Sequence, residues 1–458
     1  MERGYLHTVV CIVLLTVLGL LGLKWLPQLS VGGMALRQVD ILSDISNDST
    51  GMPAQTDTIK ELPVVKNAIN TCKPGMTCIN DMSGDERQGI EPLYEAIEQM
   101  ASLGRPVRIA VLGDSFIEGD ILTEPLREQL QTLYGGCGVG YVPITSNVNG
   151  FRRSVRHNFS GWTEHNGNDH RGFGGEHASI TGHYYAATPG ANVELRGTTA
   201  TAHLDTCQVA TLYYTGYGTA SVTATVNGTA TQRFNISGNG EVGSVHVNGK
   251  IGSVKWTVDY SDPGIAFLGS AMDGNDGITV DNFSLRSSCG YHLGKVSDRM
   301  FASFDKARHY DLVIIMYGLN IAHKGQKQFN EYSMKMGSAI DRMKQAMPTT
   351  GFLVVSVSDR AQRTASGALN TMSCITALIN VQQQLAFDHH IAFWNMFTAM
   401  GGSGSIVRMA QAKPAEANRD YTHINFNGGK RIGRIFAETL DWGYQSYRQQ
   451  NTPKGGEQ

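Results

Sequence analysis

Near residue 150 the sequence changes period, and near residue 280 it changes back. Between those points it is rich in Thr, Gly and Val, as in "ATLYYTGYGTASVTATVNGTATQRFNI" and "GSVKWTVDY". Apolar and polar residues alternate there and turn residues recur, which predicts an antiparallel β-sandwich. On either side the pattern is strand, turn, helix. "VRIAVLGDS" leads into "ILTEPLREQLQTLYGG", where Leu122, Leu126, Leu130 and Leu133 form a helical stripe stopped by Gly135-Gly136. After the insert come strands at 311–318, 351–358 and 391–394, with helices around 326–346, 369–387 and 427–441. An earlier helix is expected from Ile90, Leu93, Tyr94, Ile97 and Met100, ending near Gly104. Strand–helix alternation predicts a doubly wound parallel sheet with helices on both faces. The fold class is therefore α/β with an inserted antiparallel β-sandwich. Residues 83–150 and 280–445 form the discontinuous α/β domain, 151–279 the insert, and 446–458 a polar tail.

The first 82 residues read differently. Thr8 to Leu23 carries no charge and is flanked by Arg3 and Lys24. Its length falls between a signal-peptide core and a spanning helix. "Val31-Gly32-Gly33" is a poor cleavage site, so residues 1–26 are read as an uncleaved anchor in preference to a cleaved signal peptide. Residues 27–82 look like a flexible linker. Both N-terminal readings imply export, to the periplasm or cell surface. Cys72 and Cys78 flank a Pro-Gly turn and suit a small disulfide in an oxidising compartment. Cys137, Cys207, Cys289 and Cys374 lack metal-ligand spacing and read as buried thiols. A net charge of −2, with no basic stretch carrying interleaved aromatics, argues against nucleic acid as a partner.

Three elements carry chemistry. Ser115 follows a strand at a turn before a helix, where backbone amides can stabilise negative charge. A helix cap explains Gly113-Asp114-Ser115 equally well when it stands alone. Asp420 and His423 in "NRDYTHINFNGG" are three apart, so a helical turn would put them on one face. A carboxylate so placed orients an imidazole that accepts a serine proton. Asn320, after the strand in "IIMYGLNIA", arrives at the same sheet edge and offers an amide donor. Asp114 is read as holding its turn; Glu118 and Asp120 could shape the pocket, but a solvated face is the preferred reading.

The order Ser, Asn, Asp-x-x-His resembles the SGNH (GDSL-type) hydrolases over about 105–150 and 280–442, which implies a flavodoxin-like α/β fold. "GDSFIEGD", "YGGCGVGYVP", "VDNFSLRSSCG", "WNMFTAMGG" and "DYTHINFNGGKRIG" resemble the branch holding peptidoglycan and polysaccharide O-acetylesterases. Members of that branch carry a carbohydrate-binding-module-like insert. The resemblance implies Ser115 as nucleophile, His423 as base and Asp420 as its partner. It implies an oxyanion hole from the amides of Ser115 and Ser287 and the Asn320 side chain. Ser287 stands where the family has glycine, and Gly290 is the alternative donor. The implied substrate is an O-acetylated glycan, hydrolysed through an acetyl-serine with no cofactor and no metal. Transfer of the acetyl group to a sugar hydroxyl, or glycan binding without catalysis, are the competing functions.

Two further clusters are weighed against plainer readings. His157, His165, His170 and His177 with Glu164, Asp169 and Glu176 are too irregular for a metal site. "DGNDG" at 273–277 reads as a turn before it reads as a calcium loop. Trp162, Tyr213, Tyr214 and Tyr217 are assigned to the core of the insert, although each could stack on a sugar.

Overall fold

The computed structural model describes residues 72–169 and 172–451, with the backbone of 30–31 and 34–35. The N-terminal hydrophobic segment and His170 lie outside the described residues, as does most of the segment read as a linker. The chain divides into a small unit, 1–56 with 363–368, and a large one, 57–362 with 369–458. In the small unit Ser30–Val31 pairs antiparallel with Met34–Ala35. Thr364 N donates to Ala368 O at 2.8 Å in its other segment. All remaining description concerns the large unit.

Its centre is a six-stranded sheet in the order Ile278–Ser284, Val107–Gly113, Leu312–Met316, Gly351–Val355, Ala392–Trp394 and Ile79–Asp81. The first five strands run parallel and the last pairs antiparallel at the edge. Leu312–Met316 and Gly351–Val355 are buried at every position, because helices cover both faces and leave no polar side to alternate. Glu91–Glu98 and Thr123–Tyr134 pack on the long C-terminal helix Phe426–Asn451, and Asn330–Ala346 packs on Asp298–Ala307 and Cys374–Asp388. Leu122, Leu126 and Leu130 are buried as the stripe requires, whereas Leu133 is exposed. The C-terminal helix continues through Asn451. The strand Ile79–Asp81, within the segment read as a linker, is ordered because Asp81 accepts from Ser83 N and Ile90 N. Cys72 and Cys78 are disulfide-bonded, with Cα atoms 5.2 Å apart.

The second sheet is antiparallel and has eight strands, drawn from residues 140–273. Cys207–Val226 spans both its halves. Its first half pairs with Gly243–Ile251 and Ile265–Asp273, and its second with Ala230–Asn239 and Ser253–Ser261. Gly216, at φ +97°, sits at the changeover, where an added Cβ would lie 2.0 Å from Gly264 O. His183–Arg196 pairs with both Ser253–Ser261 and Ile265–Asp273, so the ladder closes on itself as one continuous sheet. It encloses its own core, with Val193, Leu195, Leu212, Trp256 and Phe267 inaccessible.

A buried charge cluster ties this sheet to the parallel one. Arg308, from the end of Asp298–Ala307, bonds Asp273 at 2.6 and 3.0 Å and Asp281 at 2.6 and 2.8 Å. Asp281 also accepts from Tyr310 Oη at 2.6 Å and from Tyr141 N at 2.8 Å. Asp273 of "DGNDG" is thereby an ion-pair partner inside the protein. Of the four aromatic residues assigned to the core, Tyr213 and Tyr214 are buried and Trp162 packs edge-on against Phe267, but Tyr217 is 47% exposed.

Candidate active site

Three adjacent parallel strands end level. Ser284 and Met316 are both in register with Gly113, so the loops after them open at one sheet edge. The central loop carries Ser115, its neighbour Ser287, and the third Asn320. Ser115 is not at the start of an α-helix, as the sequence pattern suggested. It lies on a turn before the short 3-10 stretch Glu118–Asp120, and the helix begins at Thr123. The reason is backbone geometry: Gly119 and Asp120 both adopt left-handed conformations, at φ +68° and +63°. Asn282 fixes this loop from beneath, its Nδ2 donating to Ile117 O and Thr123 Oγ1 at 2.8 Å each.

His423 reaches the same edge from the segment before the C-terminal helix. Its Nε2 lies 3.0 Å from Ser115 Oγ, and its Nδ1 lies 2.7 Å from Asp420 Oδ2. With Nδ1–H donated to the carboxylate, Nε2 is left as acceptor for the serine hydroxyl. Asp420 and His423 do not share a helical face. They form a tight turn with Tyr421 at φ +52°, in which Asp420 Oδ1 accepts from Thr422 N at 2.9 Å and His423 N at 3.1 Å. Burial pushes the Asp420 carboxyl up, but the bonds from the imidazole and these amides outweigh it and hold it below its ordinary value.

Asp114 holds the turn as expected, its Oδ1 accepting from Phe116 N at 2.9 Å. Its Oδ2 does more, accepting from Asn320 Nδ2 at 2.8 Å. Burial pushes this carboxyl up to about 6, against the hydrogen bonds and the nearby His423. The same Asn320 nitrogen donates to Ser288 O at 2.9 Å, so both its protons are engaged within the protein. A developing oxyanion must therefore compete for one of them. Among the described residues, the backbone amides of Ser115 and Ser287 have no acceptor. Ser287 takes φ +62° in the turn closed by Ser288 N donating to Leu285 O, a position that favours glycine. Gly290 is excluded as the alternative donor, because its amide is bonded to Ser288 Oγ at 3.0 Å.

Glu118 and Asp120 do not form a solvated face. Asp120 is buried and bonds Arg127, Arg152, Thr123 and Ser154. Burial alone would raise its pKa, but the two guanidinium groups drive it far below the carboxylate range. Glu118 pairs with Arg286 beside Ser287. Glu118, Arg286 and Ser287 border a polar cleft of about 330 Å³, which also takes in Glu164, Asn166 and His183 from the antiparallel sheet. Sequence spacing missed Arg286, Asn282 and the cleft-lining Glu164; the one available signal was the density of polar residues in "VDNFSLRSS".

Of the described histidines in that group, His165 and His177 pack on the same Tyr184 ring, whereas His157 lies apart. His157 is buried against Ile144 O, and His165 stacks on Tyr184. Among the described residues no group of three His, Cys, Asp or Glu side chains could hold a metal ion. Cys207 and Cys374 are buried, Cys137 and Cys289 half-buried.

No protein-family model matches the chain, and no curated protein matches it in sequence. Solved structures do. A peptidoglycan O-acetylesterase aligns over 80% of this chain and 99% of its own, with 22% identity and a TM-score of 0.65. A family two carbohydrate esterase from Clostridium thermocellum aligns over 59% and 99%, with 11% identity and a TM-score of 0.26. A carbohydrate esterase family 2 enzyme with a carbohydrate binding domain, from Corynascus thermopiles, aligns over 56% and 94%, with 13% identity and a TM-score of 0.26. The last two likenesses are too loose to carry an argument, and the first establishes the fold. The chain therefore shares the fold of a peptidoglycan O-acetylesterase, and it gathers Ser115, Asn320 and His423 at one sheet edge of that fold.

Proposed function

We propose that the protein is a serine esterase that removes O-acetyl groups from a cell-envelope glycan, peptidoglycan foremost. The observation that carries this reading is the continuous chain from Ser115 Oγ to His423 Nε2 and from His423 Nδ1 to Asp420. Such a chain lets the imidazole take the hydroxyl proton as oxygen attacks the acetyl carbonyl, while the carboxylate stabilises the cation formed. The unpartnered amides of Ser115 and Ser287 receive the oxyanion, and Asn320 joins them by releasing Asp114 or Ser288 O. The imidazolium then protonates the departing sugar oxygen. Water, deprotonated by the same imidazole, resolves the acetyl-serine.

The glycan assignment draws on the fold shared with a peptidoglycan O-acetylesterase and on the polar lining of the cleft beside Ser287. The inserted domain is read as a sandwich-like, carbohydrate-binding module. Export fits the Cys72–Cys78 disulfide and the uncharged run from Thr8 to Leu23, which is proposed as a membrane tether. Among the described residues no helix is long and apolar enough to cross a membrane. The test is acetate release from O-acetylated peptidoglycan by the full chain. The reading expects release that Ser115→Ala abolishes. Undiminished release by Ser115→Ala would overturn it.

A further inference from the structure

A second, open groove of about 860 Å³ lies on the antiparallel domain and is lined by Phe151, four arginines and neutral residues such as Thr198 and Asn227. Phe151 connects it to the candidate active site. Its ring, half-exposed, stacks on Phe426 at 4.9 Å, and Phe426 opens the helix that follows His423. One edge of the ring, at Cδ1, meets Gly119, where an added Cβ would lie 2.7 Å away, in the loop that carries Ser115. Phe151 thus touches the segments bearing serine and histidine and forms one wall of the groove.

The charge arrangement in the groove is unusual. Arg156 and Arg196 are register partners on neighbouring antiparallel strands, so two cations face each other on one exposed surface. Like charges directly opposite in a ladder are destabilising and call for compensation. Arg196 has Glu194 at 3.2 Å, but Arg156 has no acidic partner among the described residues. The other two arginines are committed: Arg152 to buried Asp120, and Arg153 to Glu124 while its guanidinium lies over Phe426 at 3.8 Å. Asp205 is the one acid among the lining residues.

We propose that this groove is an anion subsite that binds a carboxylate of an acidic glycan strand while Phe151 packs on a neighbouring sugar face. The proposal rests on the esterase reading for its substrate class, since the acids of peptidoglycan are the carboxylates of its lactyl-linked peptides. A paired guanidinium site matches a planar carboxylate through parallel N–H donors, and an exposed aromatic face suits the C–H face of a sugar. An open groove admits a polymer running across the site.

The experiment measures binding of the full chain in mild detergent, carrying Ser115→Ala to block turnover, to insoluble peptidoglycan by co-sedimentation. Replacing Arg156 and Arg196 together by Gln should weaken binding about tenfold, whereas the Lys pair should retain most of it. Arg233→Gln, on an arginine outside the groove, should leave binding unchanged. Peptidoglycan with amidated carboxyls should bind the parent chain as weakly as native material binds the Gln pair. Thermal melting of the Gln pair should not fall, because the change relieves repulsion. Equal binding by the Gln pair and its parent would overturn the proposal. So would loss of binding after removal of phosphodiester polymers by hydrofluoric acid, which would assign the groove to phosphate. Acetate release by the wild-type chain from an aryl acetate is followed separately: its absence contradicts the esterase reading, while the sedimentation comparison decides the groove.

Discussion

Ser115 and His423 are 308 positions apart and meet at 3.0 Å, and each owes its place to a few local bonds. Asp420 both orients the imidazole and closes the turn that presents it, so its loss removes two functions. Asp420→Asn should lower kcat about 10³- to 10⁴-fold while leaving KM for a small aryl acetate nearly unchanged. Asn320→Ala should cost about 10²- to 10³-fold in kcat, the range for loss of one oxyanion donor. A steady-state kinetic comparison checks both. Ser287 is expected to donate through its backbone, so Ser287→Gly should keep turnover and hold stability within about 1 kcal/mol, because glycine accepts φ +62° without strain. Turnover and urea midpoints of that variant decide the point; a large loss of turnover would assign a role to the side-chain hydroxyl instead. These five residues were legible in the sequence because each lies in a short block with its own spacing. Asp120 was not. Its burial depends on Arg127 and on Arg152, 32 positions away, and nothing in "FIEGD" announces either partner.

At the scale of elements, the strand Ile278–Ser284 carries more than its length suggests. It forms one edge of the parallel sheet, ends at the turn of Ser287, supports the serine loop through Asn282, and supplies Asp281 to the buried arginine cluster. The sequence division at residue 280 falls inside this strand, and its pairing with Val107–Gly113 assigns Ile278 and Thr279 to the parallel sheet as well. The helix Asp298–Ala307 went unread. Its start is marked by Ser297, whose hydroxyl accepts from Met300 N, but its apolar face is only Met300, Phe301 and Phe304. This helix delivers Arg308. Arg308→Ala would leave Asp273 and Asp281 buried without their cation, and should destabilise the chain by about 3–5 kcal/mol in urea unfolding. No change in the urea midpoint would mean that the cluster does not couple the two sheets.

For the whole molecule, the sequence pattern carried the division into an α/β part interrupted by an antiparallel one, since period two and period 3.6 leave distinct traces. It could not show that the antiparallel strands join into one closed ladder. That property depends on Gly216 and on strands long enough to serve two neighbours at once. Among the described residues two imidazoles are buried. Burial lowers His157 to about 4 and His292 to about 3, with a smaller push from Arg152 on the former and from His183 and Lys295 on the latter. In the unfolded chain both take up protons from about pH 6.5 downward. Stability is therefore full above that pH and falls as pH drops toward 4, with a contribution from His157 of up to about 3 kcal/mol. Urea midpoints between pH 7 and pH 4 should show this slope, and His157→Gln should flatten it. The central claim, however, is chemical: Ser115 forms a bond to the acyl group. Rapid quenching of the full chain with an aryl acetate, followed by peptide mass spectrometry, tests it most directly. The account predicts an acetyl adduct on the peptide containing Ser115, absent from Ser115→Ala; turnover with no adduct, or with the acetyl group on another residue, would contradict it.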